Sequence, residues 1–333
     1  MKLVTAGTAL LLVVASVSSV SAEPATQNPL DEARAAAERL SFVGVVDVRW
    51  SDGAGTHNEQ LAVRGASGSL EVQGTSAVMA ASGGDRMVRR PGGDWDLLWT
   101  GSQAAASRPD VGDKYRFVPV TDAVGPVTVA SRAVRVVEVR EHEALRERLY
   151  LDTATGMLLR LDQLEADGVP SRTVSFSAFQ IDPATAPPQV PARHADHSPR
   201  PLVAAGSPTV PEVLAGGYRR MGAYREPGAV QVIYNDGLYD LSVFQQPGGL
   251  RTDGLPPAGR RIAVKRRHGW AYGWAGGHVL VLPAGRTVYS LVSDAPVDQL
   301  TAAAASLPAT DGSPSMTSRL RRACGALLRP LAT

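Results

Sequence analysis

The stretch whose reading decides the fold runs from Pro126 to Ile181: PVTVASRAVRVVEVREHEALRERLYLDTATGMLLRLDQLEADGVPSRTVSFSAFQI. Val127 to Arg140 is one β-rich run. Leu145 to Leu151 is a second, with Arg146 and Arg148 alternating against Leu145, Glu147 and Leu149. Asp152 to Gly156 reads as a turn, Met157 to Leu164 as a third run, Asp167-Gly168 as another turn, and Thr173 to Ile181 as a fourth run. Short strands joined by tight turns predict an antiparallel meander, because so brief a connection can only bring the chain back beside itself.

Upstream, Asp31 to Leu40 (DEARAAAERL) predicts a helix: Ala, Glu and Arg dominate, Asp31 and Glu32 sit where the helix dipole favours anions, and Asn28 or Asp31 can cap it. From Ser41 the pattern changes to strands. FVGVVDVRW ends at the turn Ser51-Asp52-Gly53, Gln60 to Val72 holds further short strands, and Arg86 to Val88 and Trp95 to Trp99 flank the hairpin signal Pro91-Gly92-Gly93-Asp94. One helix packed on such a sheet is an α+β layer architecture.

Downstream, Asp182 to Pro211 contains eight prolines and reads as a partly extended linker and domain boundary. A second, smaller mixed α/β domain follows. Its clearest signal is a hairpin, Val230 to Tyr234, then Asn235-Asp236-Gly237, then Leu238 to Gln245. Arg261 to Val264, Gly269 to Trp274 and His278 to Leu282 predict more strands, and Val297 to Leu307 a helix. The expected organisation is a signal peptide over 1–22, an N-terminal domain over 28–181, a linker over 182–210, a C-terminal domain over 211–307 and a basic tail over 308–333.

The first segment has the parts of an export signal: Lys2, an apolar run from Ala9 to Val17, and the small-residue site Val20-Ser21-Ala22, with cleavage expected before Glu23. An uncleaved N-terminal anchor is the alternative, although the apolar run is short for a membrane span. The expected location is the periplasm or extracytoplasmic cell envelope. The single Cys324 excludes an intramolecular disulfide framework.

Charge sets a further limit. Lys+Arg total 34 and Asp+Glu 32, so the chain lacks the large basic excess of a general nucleic-acid binder. No nucleophile elbow, Walker loop, complete dinucleotide fingerprint or metalloprotease motif occurs. Neither an enzyme activity nor a cofactor is expected, and no metal. His194 and His197 sit in the proline-rich linker without further ligands. The carboxylates Glu138, Glu141, Glu143 and Glu147 interleave with Arg135, Arg140, Arg146 and Arg148, as on a charge-paired sheet face.

The most suggestive surface is Lys265, Arg266, Arg267 and His268, followed by Trp270, Tyr272 and Trp274. Basic residues beside aromatics can bind single-stranded nucleic acid, acidic headgroups or an acidic peptide. Export disfavours nucleic acid. The competing account is a hairpin whose aromatics pack inward and whose basic residues face water.

The meander resembles the MucB/RseB family, regulators of extracytoplasmic sigma-factor pathways. The resemblance rests on Arg148-Leu-Tyr-Leu-Asp152, Thr155 to Arg160, Asp167-Gly168 and Phe176 to Ile181. Ala36 to Val48 and Val129 to Ala133 support it upstream, and Gly217 to Arg219, Ile233 to Leu238 and Leu241 to Phe244 downstream. It implies an N-terminal domain similar to the lipoprotein carrier LolA, a curved antiparallel half-barrel with covering helices, plus a smaller C-terminal domain. It also implies binding to the extracytoplasmic part of a membrane-anchored anti-sigma factor, restraint of that factor's proteolysis, and release by an amphiphile or lipoprotein. The alternative is a LolA-like carrier of lipids or lipoproteins. A homo-oligomer is left open.

An apolar cleft under a curved sheet would be lined by Val43, Val45, Leu61, Leu70, Trp95 and Trp99. A protein partner would use Tyr218, Tyr234, Tyr239, Trp270 and Trp274 as aromatic anchors, with Lys265, Arg266 and Arg267 beside them.

Overall fold

The computed structural model describes residues 28–75, 78–82, 85–89, 95–99, 110–121, 125–188, 200–201, 210–226 and 228–309. The expected signal peptide, the histidines of the linker and the basic tail with Cys324 lie outside these residues.

Helix α1 (Pro29–Arg39) starts at Asn28, whose side-chain Oδ1 accepts the Leu30 N–H at 2.9 Å. Proline in the first turn costs nothing, since its missing N–H would have had no intrahelical partner. The buried face of α1 is made of Ala33, Ala36 and Ala37. The helix is tied to the sheet by an ion pair of Glu32 with Arg135 and by Arg39, which donates to the Thr155 carbonyl at 3.2 Å.

The first sheet holds twelve strands: β1 (Phe42–Asp52), β2 (Gly55–Ala66), β3 (Ser69–Gln73), β4 (Val78–Ser82), β5 (Asp85–Arg89), β6 (Trp95–Trp99), β7 (Tyr115–Pro119), β8 (Val127–Val129), β9 (Arg132–Glu141), β10 (Ala144–Asp152), β11 (Leu158–Leu164) and β12 (Pro170–Ile181). Their order is β6-β5-β4-β3-β2-β1-β12-β11-β10-β9-β7, with β8 also on β9, and every pairing is antiparallel. The two ends do not meet, so this is an open half-barrel sheet. The run Val127 to Arg140 is not one strand. Ala130 and Ser131 take φ values of 48° and 61° and fold β8 back on β9. No glycine or asparagine advertises that turn.

The second sheet is antiparallel throughout, in the order β13 (Arg200–Pro201), β14 (Arg219–Glu226), β15 (Ala229–Asn235), β16 (Asp240–Pro247), β20 (Thr287–Ser293), β19 (Gly277–Ala284), β18 (Arg267–Trp274) and β17 (Arg260–Val264). Helix α2 (Val297–Ala305) packs on its inner face near β17, β19 and β20. Within the proline-rich segment, Arg200 and Pro201 pair with Arg225 and Tyr224, so that piece of the chain is docked on the sheet edge.

One apolar core joins the two sheets: Tyr115, Val139 and Leu149 from the first pack with Tyr218, Leu241, Leu280 and Leu300 from the second unit. A second core under α1 contains Phe42, Val46, Leu61, Val63, Leu70 and Phe176. The fold is therefore α+β, built from two open antiparallel sheets and two described helices.

Candidate functional site

The inner face of β9 to β12 meets the second sheet along a seam that is unusually polar for a protein interior. Glu147, Gln163, Arg172, Asp236 and Asp294 are all buried there. Isolated charges in such a place would be costly, so the pairing geometry decides whether the seam holds.

Asp236 is its hub. One carboxylate oxygen accepts hydrogen bonds from Lys114 Nζ and from the Tyr115 hydroxyl, both at 2.6 Å. The other accepts the backbone N–H of Leu238 at 3.1 Å and of Tyr239 at 2.7 Å. Asp236 lies in the turn between β15 and β16, and Gly237 follows it with φ near +99°. A Cβ at Gly237 would stand 2.9 Å from the Val111 Cα, so glycine serves both the backbone angle and the close approach of the first unit.

Further ties flank this hub. Arg146 donates to Asp298 at 2.7 Å and to Glu141 at 2.9 Å, and Gln299 donates to Glu141 at 2.5 Å. Gln163 donates to the Asp294 carbonyl at 2.6 Å. The tip of β1 abuts β18, where Gly273 leaves no room for a Cβ against the Ser51 carbonyl.

Burial governs the ionisation of these groups. It pushes the Glu147 carboxyl up to about 7, with the charge of Arg172 opposing the shift. Burial also drives Asp294 well above the usual carboxylate range and pushes His278 down to about 4. At Glu141 burial acts in the same upward sense, but Lys114 and Arg146 outweigh it and hold the carboxyl low. The His278 ring faces the Ala295 carbonyl through Nδ1 at 2.9 Å, the geometry of a neutral imidazole donating one hydrogen bond.

The opposite face of the first sheet is different. Glu138 is paired with Arg140 and Arg148, Asp162 with Arg160, and Arg64 with Glu71. This is the charge-paired ladder expected from the interleaved Glu and Arg. Glu147, by contrast, points inward, and Glu141 with Arg146 belongs to the seam.

The residues expected to act as partner anchors separate into two groups. Tyr218, Tyr234, Tyr239 and Trp274 are buried in the core. They pack inside the molecule in this conformation and are not exposed as surface anchors would be. Arg267 is also structural: its guanidinium donates to the Ala304 and Leu307 carbonyls, both at 3.1 Å, capping the end of α2. Lys265 and Arg266 are exposed at the β17–β18 turn, and Trp270 is half-buried beside them.

The expected cleft residues also divide. Leu61 and Leu70 are buried under α1. Val43 and Val45 are not on their face. Val46 pairs with Leu61 and Val45 with Ala62, so Val43 and Val45 point to the other side and stay half-buried. Trp95 and Trp99 lie in β6, and their side chains are outside the described residues.

Sequence reading missed Asp236, Lys114, Tyr115 and Arg172 as seam residues. Asp236 carried only a turn signal, and the buried pairing that gives it meaning spans more than a hundred residues of chain.

Among the described residues no group of three or more His, Cys, Asp or Glu side chains could hold a metal ion, and no helix is long and apolar enough to cross a membrane.

An open antiparallel half-barrel with a helix on its inner face, docked through a polar seam on a second antiparallel sheet, defines a two-unit α+β protein. The sequence profile of the MucB/RseB N-terminal domain matches residues 97–195 of this chain. Among solved structures, the Pseudomonas aeruginosa MucA/MucB complex aligns at 19% identity over 85% of this chain and 98% of that chain, with a TM-score of 0.51. MucB in complex with MucA(peri) aligns at 19% identity over the same 85% and 98%, with a TM-score of 0.48. A LolA superfamily protein from Nitrosomonas europaea aligns at 12% identity over 48% of this chain and 96% of that chain, with a TM-score of 0.24. No curated protein matches the chain by sequence.

Proposed function

We propose that this protein is an extracytoplasmic regulatory binding protein of the MucB/RseB type. It holds the extracytoplasmic segment of a membrane-anchored anti-sigma factor and restrains that factor's proteolysis, and an amphiphile or lipoprotein triggers release. The observation that carries this reading is the MucB/RseB profile match over 97–195, coupled with fold similarity that spans 98% of the MucB chain in a MucA/MucB complex. The absence of a catalytic motif in the sequence agrees with a role in binding rather than turnover.

In this reading residues 1–22 direct export, 28–181 and 211–307 are the two domains, 182–210 links them and 308–333 is an appended basic tail. The exposed hairpin of Lys265, Arg266 and Trp270 is the partner contact we retain. A carrier role would use the same apolar inner face, but α1 and the second sheet cover much of that face with packed side chains.

The test is capture of membrane proteins from the native host by the mature chain. A single-pass anti-sigma factor should be enriched, and its proteolysis should slow when the protein is added. Enrichment of acylated lipoproteins with no anti-sigma factor would replace this reading with the carrier one.

A further inference from the structure

Strand β17 lies at one end of the second sheet and pairs only with β18 among the described residues. An edge of this kind presents unpaired backbone N–H and C=O groups that another extended chain can satisfy. Its surroundings select what that chain must carry. Arg260, Arg261 and Ala263 are exposed along the strand, and Lys265, Arg266 and His268 are exposed at and just after the turn. Arg261 sits opposite the half-buried Trp270, and Ala263 opposite His268, so these four share the outer face. None of Arg261, Lys265 and Arg266 forms an ion pair with a described residue. That contrasts with Arg64, Arg132, Arg140, Arg148 and Arg160 on the first sheet, each of which has its carboxylate.

We propose that β17 is the docking edge for an extended acidic segment of a protein partner, which adds to the second sheet as a ninth strand. The spacing makes the preference specific. An added residue opposite Arg261 is best acidic, the residue two further on meets Ala263 and is best small, and the residue two beyond that reaches Lys265 and Arg266 and is again best acidic. Alternate residues on a strand share a face, and the four residues from Arg261 to Lys265 correspond to about 13 Å of extended chain. Trp270 supplies apolar area beside the first contact. A lipid surface would use the charges and leave the backbone edge unsatisfied, so a peptide fits more of what is present. The same charges could instead only keep copies of the chain from pairing edge to edge, and the experiment separates these cases.

This inference rests on the binding reading above and specifies its mode. The probe is a labelled ten-residue peptide alternating Asp with Val and Thr, titrated against the full chain by fluorescence anisotropy. Two further peptides carry N-methyl groups on alternate amides, one set in each register. Saturable binding is expected, lost with one methylation pattern and kept with the other, because an added strand turns only one of its edges to the sheet. Arg261→Glu with Lys265→Glu should weaken binding at least tenfold, and a Lys-for-Asp peptide should then bind the double variant better than the original does. No binding of the acidic peptide, equal tolerance of both methylation patterns, or binding only to phosphatidylglycerol vesicles would each overturn the proposal. Anti-sigma capture that survives the double variant would sink the edge and leave the broader reading intact. Failure of the wild type to capture one, with peptide binding retained, would do the reverse.

Discussion

Two charged regions of this molecule obey opposite rules. In the seam between the sheets, Asp236, Glu147, Arg172 and Asp294 are buried, and the geometry around Asp236 supplies four donors to one carboxylate. At the β17 edge, Arg261, Lys265 and Arg266 are exposed and lack carboxylate partners among the described residues. The seam concentrates charge where removal of one partner leaves another stranded without water. The edge spreads charge where water already solvates it. The first pattern is that of a fixed joint, and the second is that of a surface kept ready for something outside the chain.

The strongest way to test this contrast is Asp236→Ala. It leaves the buried Tyr115 hydroxyl without its acceptor and Lys114 with only its longer contacts to Glu141 at 3.3 Å and Gln299 at 3.4 Å, and a buried pair broken on one side costs about 3–5 kcal/mol. The melting temperature should fall by roughly 10 °C, on the order of 2–4 °C per kcal/mol for a chain of this size class. A loss below about 1 kcal/mol would put the seam in the same class as a surface ion pair.

Glu147→Gln probes the seam with the opposite sign. The folded-state value is raised to about 7, above the unfolded carboxylate, so the native state holds the proton more tightly. Wild-type stability from this group is therefore full below the unfolded value and declines as pH rises through about 7. Glutamine mimics the neutral form. The variant should be more stable than wild type by roughly 3 kcal/mol at pH 8.5, and the gap should close near pH 4.5. His278 acts the other way. Its value is lowered to about 4, so stability from its neutral ring is present above the unfolded histidine value and is lost as pH falls toward 4. The two groups offset each other between about pH 4.5 and 6.5, which is why paired denaturation curves of variant and wild type are needed. A pH-independent gap would remove Glu147 from the account.

Much of this architecture could be read from residues alone, and the losses have physical causes. The meander from Val127 to Ile181 was legible because its turns at Asp152 to Gly156 and Asp167-Gly168 use ordinary turn chemistry. The Ala130-Ser131 turn was not, since two left-handed residues without glycine carry no local signal. Helix α1 was legible from its acidic first turn and alanine face. The faces of β1 were not. Alternation alone leaves the phase open, and only the pairing of Val46 with Leu61 puts Val43 and Val45 off the face that Leu61 and Leu70 occupy. Aromatic residues in the second unit looked like surface anchors because Tyr218, Tyr234 and Tyr239 carry polar tips. Their rings face the first sheet, a contact between parts of the chain that no local pattern encodes.

Smaller effects refine the same contrast. Arg267→Ala removes two hydrogen bonds to the end of α2 and should cost about 1–3 kcal/mol, because Ala304 and Leu307 are buried and their carbonyls lose this donor. Glu138→Gln on the outer face of the first sheet breaks two partly exposed ion pairs and should cost about 0–1 kcal/mol, shrinking further in high salt. Urea denaturation of both variants beside Asp236→Ala ranks them directly.

The smallest expected change is the most telling for the edge. Arg261→Glu with Lys265→Glu replaces two exposed cations that have no described partner. Lys265 adopts φ near 54°, but glutamate at that position bears the same left-handed backbone cost, so the strain cancels between variant and wild type. Replacing cations within the cluster of Arg260, Arg266 and His268 also relieves some mutual repulsion. Stability should therefore stay within about 0.5 kcal/mol of wild type, with any difference reduced by salt. A loss as large as that of Arg267→Ala would mean that these side chains hold the hairpin together. An unchanged midpoint alongside a lost acidic peptide would mean that the β17 edge is kept basic for recognition rather than for folding.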